Sequence, residues 1–276
     1  ALGAAAVIAG IALLTWTMWE TSPVRQGRRA IGLRVGPRST LYLTSNGGLA
    51  GVRGDRMWVV AHNPGSAMMI AASVDAGVKT TSGLPPWTRG ASFDLNGAPA
   101  PNPPPPSGIC CFYDGATDGR FNYAPRADAT LLAPIGSRPL APPALYQFDR
   151  DWSAPRLLFP LSLSGYYSGV AYASATDTFW FIRHDSGDSI LEEWPRDGAR
   201  LLRSVTLHGR NLAGIALDPS DATLWAVDTQ LAGPSLRLTN FDTTGRHLGD
   251  VDVTRVLPDV LSSGAGAEFA WMPTQE

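Results

Sequence analysis

The chain has 276 residues, 44% of them hydrophobic, with 22 Lys and Arg against 24 Asp and Glu and a net charge of −2. That length holds one large or two small domains, and a net charge near zero, with no basic run interleaved with aromatics, excludes the footprint of a nucleic-acid binder. Lys79 is the only lysine among abundant arginine, alanine, glycine and proline, a composition read here as codon bias rather than as an arginine recognition surface.

The chain opens on an uncharged run, residues 1–19, closed by Trp16 and Trp19. As a helix rising 1.5 Å per residue it is about 28 Å long, enough to cross a hydrocarbon core, and the tryptophans suit an interface. A retained transmembrane anchor over 1–20 is expected; a signal peptide is the alternative, although no small-x-small cleavage site follows. Arg25, Arg28, Arg29, Arg34 and Arg38 come next, and the positive-inside rule alone would keep the following domain in the cytoplasm. Residues 21–46 read as a linker and first strands, and 47–276 as a β domain.

From there one unit recurs. Leu49-Ala-Gly-Val leads through a short turn to Met57-Trp58, Phe112-Tyr-Asp114 through Asp118-Gly119 to Phe121, Ser168-Gly-Val-Ala to Phe179-Trp180, and Ala213-Gly-Ile-Ala through Asp218-Pro219 to Leu224-Trp225. Each is a hairpin whose second strand carries an aromatic, and Trp58, Phe121, Trp180 and Trp225 are expected at equivalent positions. The Asp114 of the second copy aligns with Asp218, in the turn. Second halves recur too: 68–74, 144–148, 190–194 and 235–241 are strand-like and run into Asp or Gly turns, as tight hairpins require. Four strands in about 42 residues is one β-propeller blade. Four blades are supported, and 30–45 with 267–272 supplies strands for a fifth, so an all-β propeller of at least four blades, five or six in all, is expected.

Two stretches break the pattern. Residues 84–108 contain Pro103, Pro104, Pro105 and Pro106, which cannot donate ladder hydrogen bonds; they read as a loop insertion without strands. Residues 127–143, with Pro134, Pro139, Pro142 and Pro143, read as a second insertion, between strands of one blade and on the same side. Cys110 and Cys111, neighbours on a strand, face opposite ways and are poorly placed to bond to each other.

Gly-Ile/Val-Ala, Asp-Pro or its substitute, Leu/Phe-Trp and a strand ending in Asp-x-x-Gly together resemble the blades of NHL-type and regucalcin/gluconolactonase-like propellers and of exported bacterial propellers. The resemblance covers residues 47–272. It implies an exported protein, with the propeller on the periplasmic or extracytoplasmic side of a membrane. Gluconolactonase-like enzymes hold a divalent cation such as calcium in the channel with a Glu, an Asn and an Asp from separate blades, and Glu268, Asn211 and Asp228 are the nearest counterparts.

No paired-His zinc motif, P-loop, nucleophile elbow or helical calcium loop is present. The His184-Asp185-Ser-Gly-Asp188 fragment reads as a solvated turn. Propeller topology instead places on one face the links that lead into each inner strand and the loops joining second to third strands. The first class gives Asn46-Gly47-Gly48, Gly165-Tyr166-Tyr167 and Gly209-Arg210-Asn211, and the second gives His62, His184, Asp185 and Asp228. These eight side chains (His62, Tyr166, Tyr167, His184, Asp185, Arg210, Asn211 and Asp228) are the candidate binding residues. The expected function is a non-catalytic, membrane-anchored propeller, without cofactor, that binds a protein partner or serves a larger membrane or cell-envelope complex. The alternative is a metal-dependent hydrolase of the lactonase kind.

Overall fold

The computed structural model describes residues 27–30, 34–36, 39–45, 48–62, 69–73, 75–81, 90–95, 97–101, 112–126, 142–162, 165–229, 236–253, 256 and 264–270. The 1–19 run, both cysteines and the proline-rich centres of the two insertions lie outside them, and none of the described residues is helical.

Short strands with Asp and Gly turns build five radial sheets. Blade I joins β1 (Arg28–Arg29), β2 (Leu41–Ser45), β3 (Gly48–Arg53) and β4 (Arg56–His62) to the last strand of the chain. Blade II is β5 (Met69–Ser73), β6 (Gly77–Thr81), β7 (Gly90–Phe93) and β8 (Pro99–Ala100). Blade III is β9 (Ala116–Thr117), β10 (Asn122–Arg126), β11 (Ala144–Phe148) and β12 (Arg156–Pro160). Blade IV is β13 (Tyr166–Ala173), β14 (Thr178–Asp185), β15 (Asp188–Pro195) and β16 (Arg203–Leu207), and blade V is β17 (Leu212–Leu217), β18 (Leu224–Asp228), β19 (Arg237–Phe241) and β20 (His247–Asp252). The final strand, β21 (Gly264–Phe269), pairs with β2 and is the innermost strand of blade I.

The inner strands β5, β9, β13, β17 and β21 touch in sequence and close a ring. One apolar core fills each gap between neighbouring blades, from Trp225 and Leu238 against Leu43 and Val52 between V and I to Phe112, Phe148 and Trp152 against Met69 between II and III. A blade is too thin to bury its own faces, so only stacking all five removes those side chains from water. The N-terminal segment adds a second clasp across the V–I junction. Arg28 Nη1 donates to the Val256 carbonyl at 2.9 Å, and Gly36 N–H to Asp218 Oδ2 at 2.9 Å.

Several expectations need correction. Trp180 pairs with Ala171 and Trp225 with Ala216, so those two coincide. Phe121 falls one residue before Asn122, the residue at that level in blade III. Trp58 lies on the fourth strand of blade I, where its ring covers Gly51, and Tyr42, opposite Glu268, takes the equivalent place. Residues 41–45 and 264–269 do not make a blade apart from 49–60; all belong to blade I. Residues 69–73 are an inner strand, not a second half. Within the stretch expected to be a strandless insertion, β7 and β8 are the outer strands of blade II, joined by a turn that Asp94 caps through its carboxylate to Ala98 N–H at 2.8 Å. For Trp58, residues 41–45 and residues 69–73 the cause is the same: a hairpin of strands one and two has the same local pattern as one of strands three and four. In blade I the first strand comes from the other end of the chain.

Candidate functional site

The axis of the ring is occupied by Asp114. Its backbone is left-handed, φ 55°, which Asp tolerates better than most residues, and its carboxylate is fully buried. Oδ2 accepts the N–H of Val170 at 3.0 Å and of Ile215 at 2.9 Å, and Oδ1 that of Ala267 at 3.0 Å. Three other blades thus donate to one side chain of blade III. Each donor follows a glycine, Gly169, Gly214 or Gly266, where the backbones approach closely; a Cβ on Gly214 would meet the backbone of Gly266 and Ala267. Asp114 is therefore not the turn residue matched to Asp218; the turn of that hairpin is at Asp118 and Gly119.

Glu268 shares this interior, its Oε1 accepting Thr117 N–H at 3.1 Å. Burial and the nearby Asp114 charge push the Glu268 carboxyl well above its ordinary range. Burial also pushes Asp114 up, against the opposing pull of its backbone N–H donors. Asp114 has the larger set of opposing N–H donors, whereas Glu268 has the one from Thr117.

Above this plug lies the channel mouth. Tyr166 and His184, paired across β13 and β14, stack with centroids 4.3 Å apart and an interplanar angle of 13°. His184 Nε2 is 2.7 Å from Ser168 Oγ, whose only proton goes to the Leu212 carbonyl at 2.9 Å, so the imidazole donates and is the Nε2–H tautomer. Burial lowers its pKa to about 4. The Ser168–His184 contact is therefore a structural link within blade IV rather than a nucleophile facing its base, and Ser168 Oγ carries it on to Leu212 of blade V. Tyr113, overlooked in the sequence, stands close enough to Tyr166 that its phenol is pushed up, first by burial and then by that neighbour.

Toward the rim the charges pair off. Arg210 bridges Asp228 at 3.0 Å and Asp250 at 3.1 Å, and Asp250 also meets His247 Nε2 at 3.0 Å. Asn211 Nδ2 donates to Thr229 Oγ1 at 2.8 Å. Asp185, in the β14–β15 turn, accepts from Ser186 and from Arg183 at 3.1 Å, which holds its carboxyl below the ordinary range. His208 Nδ1 lies 2.8 Å from Asp188.

The structure therefore brings Tyr166, His184, Asp185, Arg210, Asn211 and Asp228 to one face across blades IV and V. His62 is on that face too, but at the end of the fourth strand of blade I, whose second and third strands, β2 and β3, also meet that face, so the two classes are exchanged in this blade. A slip of two antiparallel strands preserves the face. Tyr167 is corrected: it is fully buried, and its hydroxyl donates to Glu192 Oε2 at 2.9 Å beneath the Arg183–Glu192 ion pair of 2.7 Å.

Glu268, Asn211 and Asp228 do not fit a cation. Glu268 Oε1 accepts from Thr117, Asn211 turns its Nδ2 to Thr229, and Asp228 Oδ2 is held by Arg210, and among the described residues no three His, Cys, Asp or Glu side chains gather as metal ligands.

The sequence matches no family model and no curated protein. Solved structures match by fold. A chain of the nidogen/laminin complex is 14% identical with TM-score 0.53, over 84% of this chain and 98% of that one. A gluconolactonase from Xanthomonas campestris is 14% identical with TM-score 0.49, over 86% and 76%, and the hydrazine synthase of Kuenenia stuttgartiensis 12% identical with TM-score 0.45, over 76% and 62%. At such identity the shared property is the β-propeller.

Proposed function

We propose that this five-bladed propeller is a membrane-anchored binding protein that engages a protein partner through the face carrying the channel mouth, as part of a membrane or cell-envelope assembly. The observation that carries this reading is the asymmetry of the connections. The two longest, 101–115 with 15 residues and 127–143 with 17, both belong to the mouth face. On the opposite face the hairpin turns do not exceed seven residues and the one longer connection, residues 30–40, has 11, and Asp side chains cap several of its turns, as Asp118, Asp218 and Asp242 do. Insertions gathered on one face of a repeat scaffold are where such proteins bind. One fold neighbour belongs to a nidogen/laminin complex, a protein–protein assembly, which is consistent with this use of the fold.

The anchor rests on the uncharged 1–19 run. Among the described residues no helix is long and apolar enough to cross a membrane, and the run lies outside them. Export is supported by the resemblance to exported propellers. The arginines that follow the run also have a structural reason to be there: Arg28 and Arg29 are strand residues bonded to Val256 and Asp55. Their presence therefore does not by itself argue for a cytoplasmic propeller.

A face-resolved experiment tests the reading. Photo-crosslinking residues placed at Asp185 or His208 on the mouth face, and at Asp177 or Thr243 on the opposite face, are compared in the native membrane. Discrete adducts from the mouth face alone are expected. Adducts from both faces alike, or from neither, overturn it.

A further inference from the structure

Charge is distributed unevenly along this chain. Residues 21–56 hold seven arginines (Arg25, Arg28, Arg29, Arg34, Arg38, Arg53 and Arg56) and one carboxylate, Asp55, a local charge of +6. With −2 for the whole, the remainder carries −8. Codon bias raises arginine everywhere and does not place a third of the cationic residues in one such stretch.

The fold concentrates part of this charge at one corner. The β3–β4 turn sets Arg53 opposite Arg56, and β1 sets Arg29 opposite Arg56 on the other side. Directly opposed residues of neighbouring strands project from the same side of a sheet, so three guanidinium side chains stand in a row across β3, β4 and β1. Like charges in such positions repel. Asp55 serves two of them, with Arg29 at 3.0 Å and Arg56 at 3.7 Å. The Arg29 side chain remains 71% exposed. Arg28, from the other side of β1, spends its Nη1 on a neutral carbonyl. The corner thus presents net positive charge at the outer edge of blade I, on an otherwise acidic molecule.

Arg28 also follows the uncharged run by only nine positions. Residues 20–27, even fully extended at about 3.5 Å each, hold the corner within roughly 28 Å of the point where that run ends.

We infer that this arginine corner of blade I is a docking surface for an anionic phospholipid headgroup layer, seating the propeller edge-on against the bilayer. The inference takes the membrane, and not the protein partner, from the proposed function. Basic residues beside an anionic leaflet each contribute about 1 kcal/mol, a factor of about five in partition, and the attraction fades within a Debye length. An edge-on seat leaves the mouth face open to the side.

The test uses the full chain and vesicles of phosphatidylcholine alone or with 30% phosphatidylglycerol, scored by flotation at 50 and 500 mM NaCl. Preference for the anionic vesicles is expected at low salt and is expected to vanish at high salt. Arg28→Gln with Arg29→Gln should reduce it by about 25-fold, two factors of five. Arg156→Gln with Arg246→Gln, which removes the same charge from blades III and V, should leave most of it. Both double variants should keep the thermal unfolding midpoint of the parent within a few degrees. Equal binding to both vesicles, or equal loss in the two double variants, overturns the corner and leaves the anchor standing. Failure to bind either vesicle overturns both.

Discussion

Asp114 does for the ring what a metal or a disulfide does in smaller folds, because three blades donate to it across the axis. Asp114→Ala leaves the N–H groups of Val170, Ile215 and Ala267 buried without an acceptor. Each such orphan costs about 1–3 kcal/mol, so a loss of at least ~3 kcal/mol is expected in urea unfolding, with Asp114→Asn intermediate because it keeps one acceptor. An unchanged midpoint would mean that the strands reach other partners. His184 gives a pH-dependent counterpart. Its pKa in the folded protein is about 4, against 6.5 for the ordinary side chain. The unfolded chain therefore binds the proton more readily between those values, and stability rises with pH across that window and is lost as pH falls through it. The 2.5-unit difference corresponds to about 3 kcal/mol between pH 7 and pH 4. His184→Phe, which retains a ring against Tyr166, should flatten the part of the stability-versus-pH curve that His184 contributes; an unaltered slope in that variant would refute the assignment.

At the scale of elements, β21 has the greatest consequence for its length. It donates Ala267 N–H to the axis, carries Glu268, and buries Ala267 and Phe269 in the core between blades V and I. A chain ending at residue 263 would expose the inner edge of β2 and leave blades V and II without the strand they pack on. Such a truncation is expected to lose cooperative thermal unfolding and near-ultraviolet circular dichroism, while the strands keep far-ultraviolet signal. A sharp transition near the parent midpoint would show that the ring closes without it. The hairpins of blades IV and V were legible beforehand because their signals are local. Asp242 caps its turn by accepting the N–H groups of Thr244 at 2.9 Å and Arg246 at 3.1 Å, and Gly245 supplies φ 83°. Blade I is not legible in this way, because the same local signals recur in any hairpin of a blade.

At the scale of the whole molecule, the two faces differ in kind. One is built from capped tight turns and inter-blade ion pairs, such as Arg196 with Asp118 at 2.6 Å, with the Arg196 guanidinium also over the rings of Tyr123 and Tyr172. The other carries the longest connections, the aromatic mouth and the bridged charges of Arg210. Between them, Asp114 ties three other blades together across the ring. The arginine corner lies at the perimeter, away from the mouth.

The amino-acid sequence by itself determined the strand-and-turn grammar, the all-β repeat class and the face to which most candidate residues belong. These follow from alternation, from the turn chemistry of Asp and Gly, and from the parity of antiparallel strands, which a two-strand slip leaves intact. Only the tertiary structure decided the blade count, the membership of blade I and the burial of Tyr167. It also decided the meeting of Asp114 with Val170, Ile215 and Ala267, and the row of Arg29, Arg56 and Arg53. Ring closure is set by packing between segments far apart in the chain, 153 positions in the case of Asp114 and Ala267. No local pattern encodes which strand, from which end of the chain, fills the last place beside the axis.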